Sequence, residues 1–162
     1  MRTFQTILIR ISRSFDYLAG IMLAFTALLV VANIIGRTFL GSSIQGSFEL
    51  VGLFTAAAVG LALARCALEN SHIAVEFIMD RFSLPLRRAA DIIVGLPSCL
   101  FLGFTTYNLF VYGGRIAASG EVLPTTRLAY YPFIYIVALG FFVLTLVVLL
   151  DLLKSVKGVE LK

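Results

Sequence analysis

Tryptophan is missing from this chain, histidine occurs once and cysteine twice, and charged residues make up only 14% of its 162 positions. Each shortage removes a class of function. Haem held between helices takes an axial ligand from each side, usually histidine, and His72 stands alone. A metal centre needs clustered His, Cys or carboxylate ligands, and the sequence groups none. Cys66 and Cys99 lack C-x-x-C spacing and an extracellular setting, so they read as small core residues rather than a disulfide or redox pair. Nucleophilic catalysis needs a base beside the nucleophile, and His72 falls on a different level from Cys99 and the membrane-embedded threonines. No enzyme and no cofactor is expected.

What the chain has in abundance is apolar length. Hydrophobic residues are 60% of the total and mean hydropathy is +1.00, which selects a bilayer as solvent. Tyr17 to Gly36, Ile92 to Gly114 and Leu128 to Leu150 carry no Asp, Glu, Lys or Arg, and each is long enough to cross about 30 Å of hydrocarbon as helix. Leu50 to Ala64 is shorter, about 22 Å at 1.5 Å per residue, so that span must run through its flanking charges Glu49 and Arg65. The expected fold is an all-α membrane protein: one domain over 1–162, with four transmembrane helices at about 15–37, 44–68, 89–113 and 129–153. The basic leader has no small-residue cleavage site, so the first span is expected to stay as a signal anchor.

Ten basic residues fall on one side of this plan, from Arg2, Arg10 and Arg13 through Arg65, Arg81, Arg87 and Arg88 to the C-terminal lysines. Only Arg37, Arg115 and Arg127 fall on the other. That bias places both termini in the cytoplasm, and it makes the net charge of +4 a matter of topology rather than a nucleic-acid footprint. Two amphipathic segments complete the plan. Phe4, Ile7, Leu8 and Ile11 oppose Arg2, Thr6, Arg10 and Arg13, the pattern of an N-terminal interfacial helix. Val75, Ile78, Met79 and Phe82 oppose His72, Glu76 and Asp80, predicting a cytoplasmic-side arm helix at about 72–83 that Pro85 ends. By period alone that arm is either a solvated connector or a partner-binding element.

Gly52, Ala56, Gly60 and Ala64 stand four apart, a small-residue ridge that lets another backbone approach closely. Gly95, Cys99 and Gly103, and Gly20 with Ala24, are shorter versions. The ridge serves either a partner or packing within the chain. The fourth span, rich in Phe, Leu and Val from Phe141 to Leu150, reads as bulky on all sides and suited to lipid or a large apolar partner. Among the charges, Arg37 and Glu49 flank a short outer loop and could pair, and Arg65 could reach Glu69 or Asp91; interfacial anchoring accounts for them equally. Every acidic residue lies near a predicted helix end or outside a span, so no carboxylate is placed to couple ions or protons. Asn33, Thr26, Thr55, Thr105 and Thr106 are expected to stitch helices together. In the outer loop, Gly113, Gly114, Gly120 and Pro124 read as turn formers, and Arg115, Glu121 and Arg127 as candidates for docking a soluble partner.

The stretch Ser47-Phe48-Glu49-Leu50, the run from Ala64-Arg65-Cys66 through Asn70-Ser71-His72-Ile73-Ala74-Val75-Glu76, and Leu123-Pro124 before the fourth span resemble a known family. It is the DctQ-like small membrane subunit of tripartite ATP-independent periplasmic (TRAP) transporters, and the resemblance covers essentially the whole chain. The family often carries Trp before the acidic residue that opens the second span, where this chain has Phe48. The resemblance implies a bacterial inner-membrane protein and two partners. A large multi-span permease subunit moves an organic acid with Na⁺, and a periplasmic solute-binding protein captures it. The small subunit would brace the fixed part of the large one through its helix faces and the arm from His72 to Phe82, with lipid around the rest. The rival readings are a self-sufficient four-span transporter and a structural anchor for another complex.

Overall fold

The computed structural model describes residues 2–69 and 84–157, and among them every regular element is a helix except for one isolated bridge. The helices are α1 (Arg2–Phe39), α2 (Ser47–Glu69), α3 (Leu84–Ser119) and α4 (Tyr131–Lys157). Each includes a stretch long and apolar enough to cross a membrane. The arm at 72–83, with His72, Val75, Glu76 and Met79, lies outside the described residues, as do the side chains of Ala64, Glu69 and Asp91.

Helix ends follow from backbone chemistry. Leu40 donates to the Gly36 carbonyl at 3.0 Å, and Gly41, at φ +67°, then turns the chain out of α1. Gly120, also at φ +67°, does the same after α3, its N–H reaching the Ile116 carbonyl at 3.1 Å. Pro132 sits in the first turn of α4, where its missing N–H has no helical acceptor to lose. Between Arg2 and Phe39 there is no proline, and α1 runs unbroken. The leader is therefore not a separate interfacial helix: Leu8 and Ser12 are buried, and Leu8 joins Val143 and Leu144 of α4.

Packing runs in the order α1, α2, α4, α3, a row rather than a closed ring, with α1 reaching α4 only lightly. The two outer helices each present one seam with strict alternation of three and four residues. In α1 it passes from Leu8 through Ser12, Phe15, Ala19, Met22 and Thr26 to Gly36. In α3 it passes from Ile92 through Gly95, Cys99, Leu102, Thr106 and Leu109 to Ile116. A 3.5-residue period keeps a seam facing its neighbour in a left-handed crossing. Thr106 and Thr145 meet at 3.2 Å across the α3–α4 seam while each also bonds its own preceding turn. Among the described residues Thr26 bonds only the Met22 carbonyl of its own helix, and Asn33 accepts the Ile44 N–H to hold the loop after α1. Thr55 is exposed.

The inner helices touch backbone to backbone. A Cβ built at Gly140 would land on the Gly60 carbonyl oxygen, and one at Gly60 would lie 3.1 Å from Val137 Cα. Ala57, Ala58 and Ala138 are buried around this crossing. The fourth span is thus not bulky on all sides. It is flanked by α2 and α3, with its small residues Ala138 and Gly140 inward and Val143, Leu144 and Val147 buried. Gly113 and Gly114 are likewise not turn residues. Both are helical in α3, and Gly113 lets Tyr135 and Ile134 of α4 approach to 3.2 and 3.3 Å of where a Cβ would stand.

Side-chain volume at the α2–α4 crossing should therefore be felt far more than on the open faces. Gly140→Val should destabilise the chain by about 1–3 kcal/mol, the usual effect of overpacking. Gly52→Val and Gly103→Val, whose added Cβ atoms meet nothing within 4 Å, should be near neutral. Thermal unfolding of the three variants in detergent micelles measures the difference.

Candidate functional site

At the end of the row where α1 meets α2 and α3 meets α4, a small hairpin is built from the sequence upward. Val122 and Ala129 form the isolated antiparallel bridge, and Leu123 accepts from Arg127 and donates to Leu128, both at 3.0 Å. Pro124, Thr125 and Thr126 make one helical turn that Arg127 closes at φ 51°. Pro124 has no N–H, so the first free donors of that turn are Thr125 and Thr126. Glu49 accepts both, at 2.9 and 3.0 Å, and the Thr126 hydroxyl at 3.0 Å. A carboxylate from α2 thereby caps a turn seventy-odd residues away. Gly46, at φ +74°, makes the approach possible, since a Cβ there would collide with Thr126 Cγ2.

This geometry replaces the expected pairing of Arg37 with Glu49. Arg37 is exposed, and no ion pair joins the two among the described residues. Two fixed backbone donors and a hydroxyl hold the carboxylate where a solvated, flexible guanidinium would gain little. Arg115 and Arg127 are exposed at this end, on α3 and on the hairpin. Glu121 is exposed too, and the Tyr130 phenol lies beside it and Tyr112.

The small-residue ridge divides. Gly60 is buried against Val137 and Gly140 within the chain, whereas Gly52 and Ala56 are exposed. Arg65 is half-buried near the other end of α2. A second polar feature escaped the sequence reading. Tyr107 is 67% exposed and Asn108 is exposed, close to the middle of the charge-free run of α3 and flanked by exposed Phe101 and Phe104. Asn108 donates to the Phe104 carbonyl at 2.8 Å, which leaves its carbonyl oxygen and a second N–H facing outward without a partner among the described residues. The signal was present as a Tyr-Asn dipeptide inside an apolar run.

Glu49→Gln keeps the shape and removes the charge that two backbone amides and a hydroxyl address. Exchange of the Thr125 and Thr126 amide protons should rise about tenfold, with cleavage by external protease at the hairpin rising alongside. The α2–α4 crossing should stay protected. Hydrogen exchange read by mass spectrometry checks both.

Residues 26–158 match the family described as tripartite ATP-independent periplasmic transporters, DctQ component. The chain is also 30% identical over 146 residues to the ectoine TRAP transporter small permease protein TeaB of Halomonas elongata, covering 85% of this chain and 74% of that one. No solved structure matches. With the match spanning most of the chain, the second, third and fourth spans whole and the first in part, the protein belongs to the DctQ family of TRAP transporter small permease subunits.

Proposed function

We propose that this chain is the bracing subunit of an organic-acid TRAP transporter in the bacterial inner membrane. Its basic end and both termini face the cytoplasm, and the Glu49-capped hairpin faces the periplasm. A large multi-span subunit carries the solute with Na⁺, and a periplasmic solute-binding protein delivers it. The relative's name ties its transporter to ectoine; the class proposed for this chain is organic acids. The arm with His72, Val75, Glu76 and Met79 serves as a second contact, and Arg115, Glu121 and Arg127 line the periplasmic edge.

The observation that carries the reading is the outward face of α3. Lipid tails offer nothing to hydrogen-bond, so an exposed amide and phenol near the middle of a span are at a disadvantage unless another helix covers them. A bracing subunit needs such a face, and a self-sufficient four-span transporter would need a carboxylate in its first span, where Tyr17 to Gly36 has none. An anchor for some other complex would use the same face with a different partner.

Interhelical hydrogen bonds of this kind are worth about 1–2 kcal/mol. Asn108→Leu should therefore lower recovery of the large subunit on a tagged small subunit by about five- to thirtyfold, with Tyr107→Phe adding to the loss. Co-purification after co-expression measures it, and undiminished recovery removes the α3 face from the interface. Reconstituted by itself, the chain should move no solute; uptake by the chain alone would establish the self-sufficient reading instead.

A further inference from the structure

The contacts between neighbouring helices fix their relative levels. Phe25 of α1 stacks edge-on to Phe54 of α2 at 5.4 Å, and Phe54 to Phe133 of α4 at 5.6 Å, so these three share one level. Thr106 of α3 meets Thr145 of α4, and Gly95 meets Leu152. Against this ruler the apolar runs do not line up. The middle of the α1 run is Thr26, beside Phe25, and the middle of the α2 run is Ala57, one turn past Phe54 toward the basic end. In α4 the middle is Leu139, nearly two turns past Phe133. In α3 it is Gly103, which the Gly95–Leu152, Thr106–Thr145 and Gly113–Tyr135 contacts place near the level of Thr145, past the middle of α4.

The middles therefore descend in the packing order α1, α2, α4, α3. The charges that bound the runs descend with them. Arg37, Glu49 and Arg115 step down at the hairpin end, and Asp16, Arg65 and Asp151 at the basic end. Both edges of the apolar band move together, so the band is slanted rather than widened.

An upright row cannot satisfy this pattern. Asp16 lies one turn from Ala19, which packs with Ala58 and Leu61, so it stands level with the middle of the α4 run. An exposed carboxylate would then sit near the bilayer centre, where lipid does not tolerate it. From α1 to α3 the descent is about 20 Å at 1.5 Å per residue. Along the packing order three helix spacings of about 9 Å lie between those helices, the row bending at the basic end where Leu8 of α1 reaches Val143 and Leu144 of α4.

We infer that the row of four helices crosses the bilayer obliquely, its axes leaning about 35° from the membrane normal within the plane of the row. Every bounding charge then reaches a headgroup region. The first turns of α1 then lie toward the basic-side surface, with Arg10 and Arg13 exposed toward the phosphates, while Leu8 and Ser12 stay packed, Leu8 against Val143 and Leu144 of α4. The surface so defined fits a lipid bilayer entered at a slant, and it does not rest on the transporter reading.

The absence of tryptophan supplies the probe. Tyr17 and Tyr107 are 69% and 67% exposed and stand at nearly the same level along the row, one on each outer helix. The full chain carrying Tyr17→Trp or Tyr107→Trp is reconstituted into phosphatidylcholine vesicles brominated at shallow or deep acyl positions. An oblique row puts the two indoles about 15 Å apart in depth, given that spacing. The indole at 107 should be quenched best by deep bromines, and the one at 17 by shallow bromines with red-shifted emission. Equal depths overturn the inference. Polarised infrared dichroism of the unmodified chain in oriented bilayers is the second measurement. A mean helix tilt near 35° supports the slant, and a tilt below about 20° overturns it.

Discussion

The contact between Gly60 and Gly140 sets the level of everything else in the molecule. Where lipid gives apolar side chains no reason to prefer one another over solvent, helices associate through close backbone approach and a few polar contacts. Two glycines facing each other give α2 and α4 a single fitted register, since sliding by a residue would bring the larger neighbours Val59 or Leu61, or Leu139 or Phe141, toward the opposite backbone. That register carries outward along both helices. It places the first turn of α2 beside the residues that precede α4, and so brings Glu49 to Thr125 and Thr126. It also sets the levels from which the slant of the apolar band follows.

Around that contact the row is graded in chemistry. The inner pair is held by volume exclusion, with alanines and glycines buried at the crossing. The outer pair is attached by seams of 3.5-residue period that mix aliphatic residues with hydroxyl-bearing ones, Thr26 on α1 and Thr106 on α3. The threonine hydroxyls donate into their own helices and so enter the seam already satisfied. Polar side chains on the outward faces are treated differently, and Asn108 keeps unused hydrogen-bonding capacity there.

How much of this was legible in the sequence depends on whether a property is local. The four spans were readable, because their signal is the composition of a contiguous stretch. Gly60 was readable as a close-packing position, but its partner was not. Gly140 stands among bulky residues and belongs to no four-residue ridge, so only the fold shows that it meets Gly60. Gly113 and Gly114 carried the composition of a turn, yet their surroundings are the Tyr135 ring and Ile134 of a neighbouring helix. The Glu49 contact failed for a related reason. Proximity along the chain favoured Arg37, and the free donors behind Pro124 were invisible until the hairpin was folded. Asn108 was visible as a residue, but its exposure is a property of the row.

A brace needs no carboxylate deep in the membrane, and depth is not a property of sequence position alone. Asp16 borders the charge-free run of α1 and is shallow if that helix is taken singly. Packed against α2 and, through it, α4, it lies level with the centre of another helix's run. In an upright row it would be the very group that an ion-coupled path requires. Leaning the row returns Asp16 to the headgroups, brings Arg65 and Asp151 with it, and leaves the hydrocarbon crossed by hydroxyls, amides and apolar side chains. The proposed orientation of the row and the proposed passivity of the subunit are therefore one physical question, because both rest on the same displacement of Asp16.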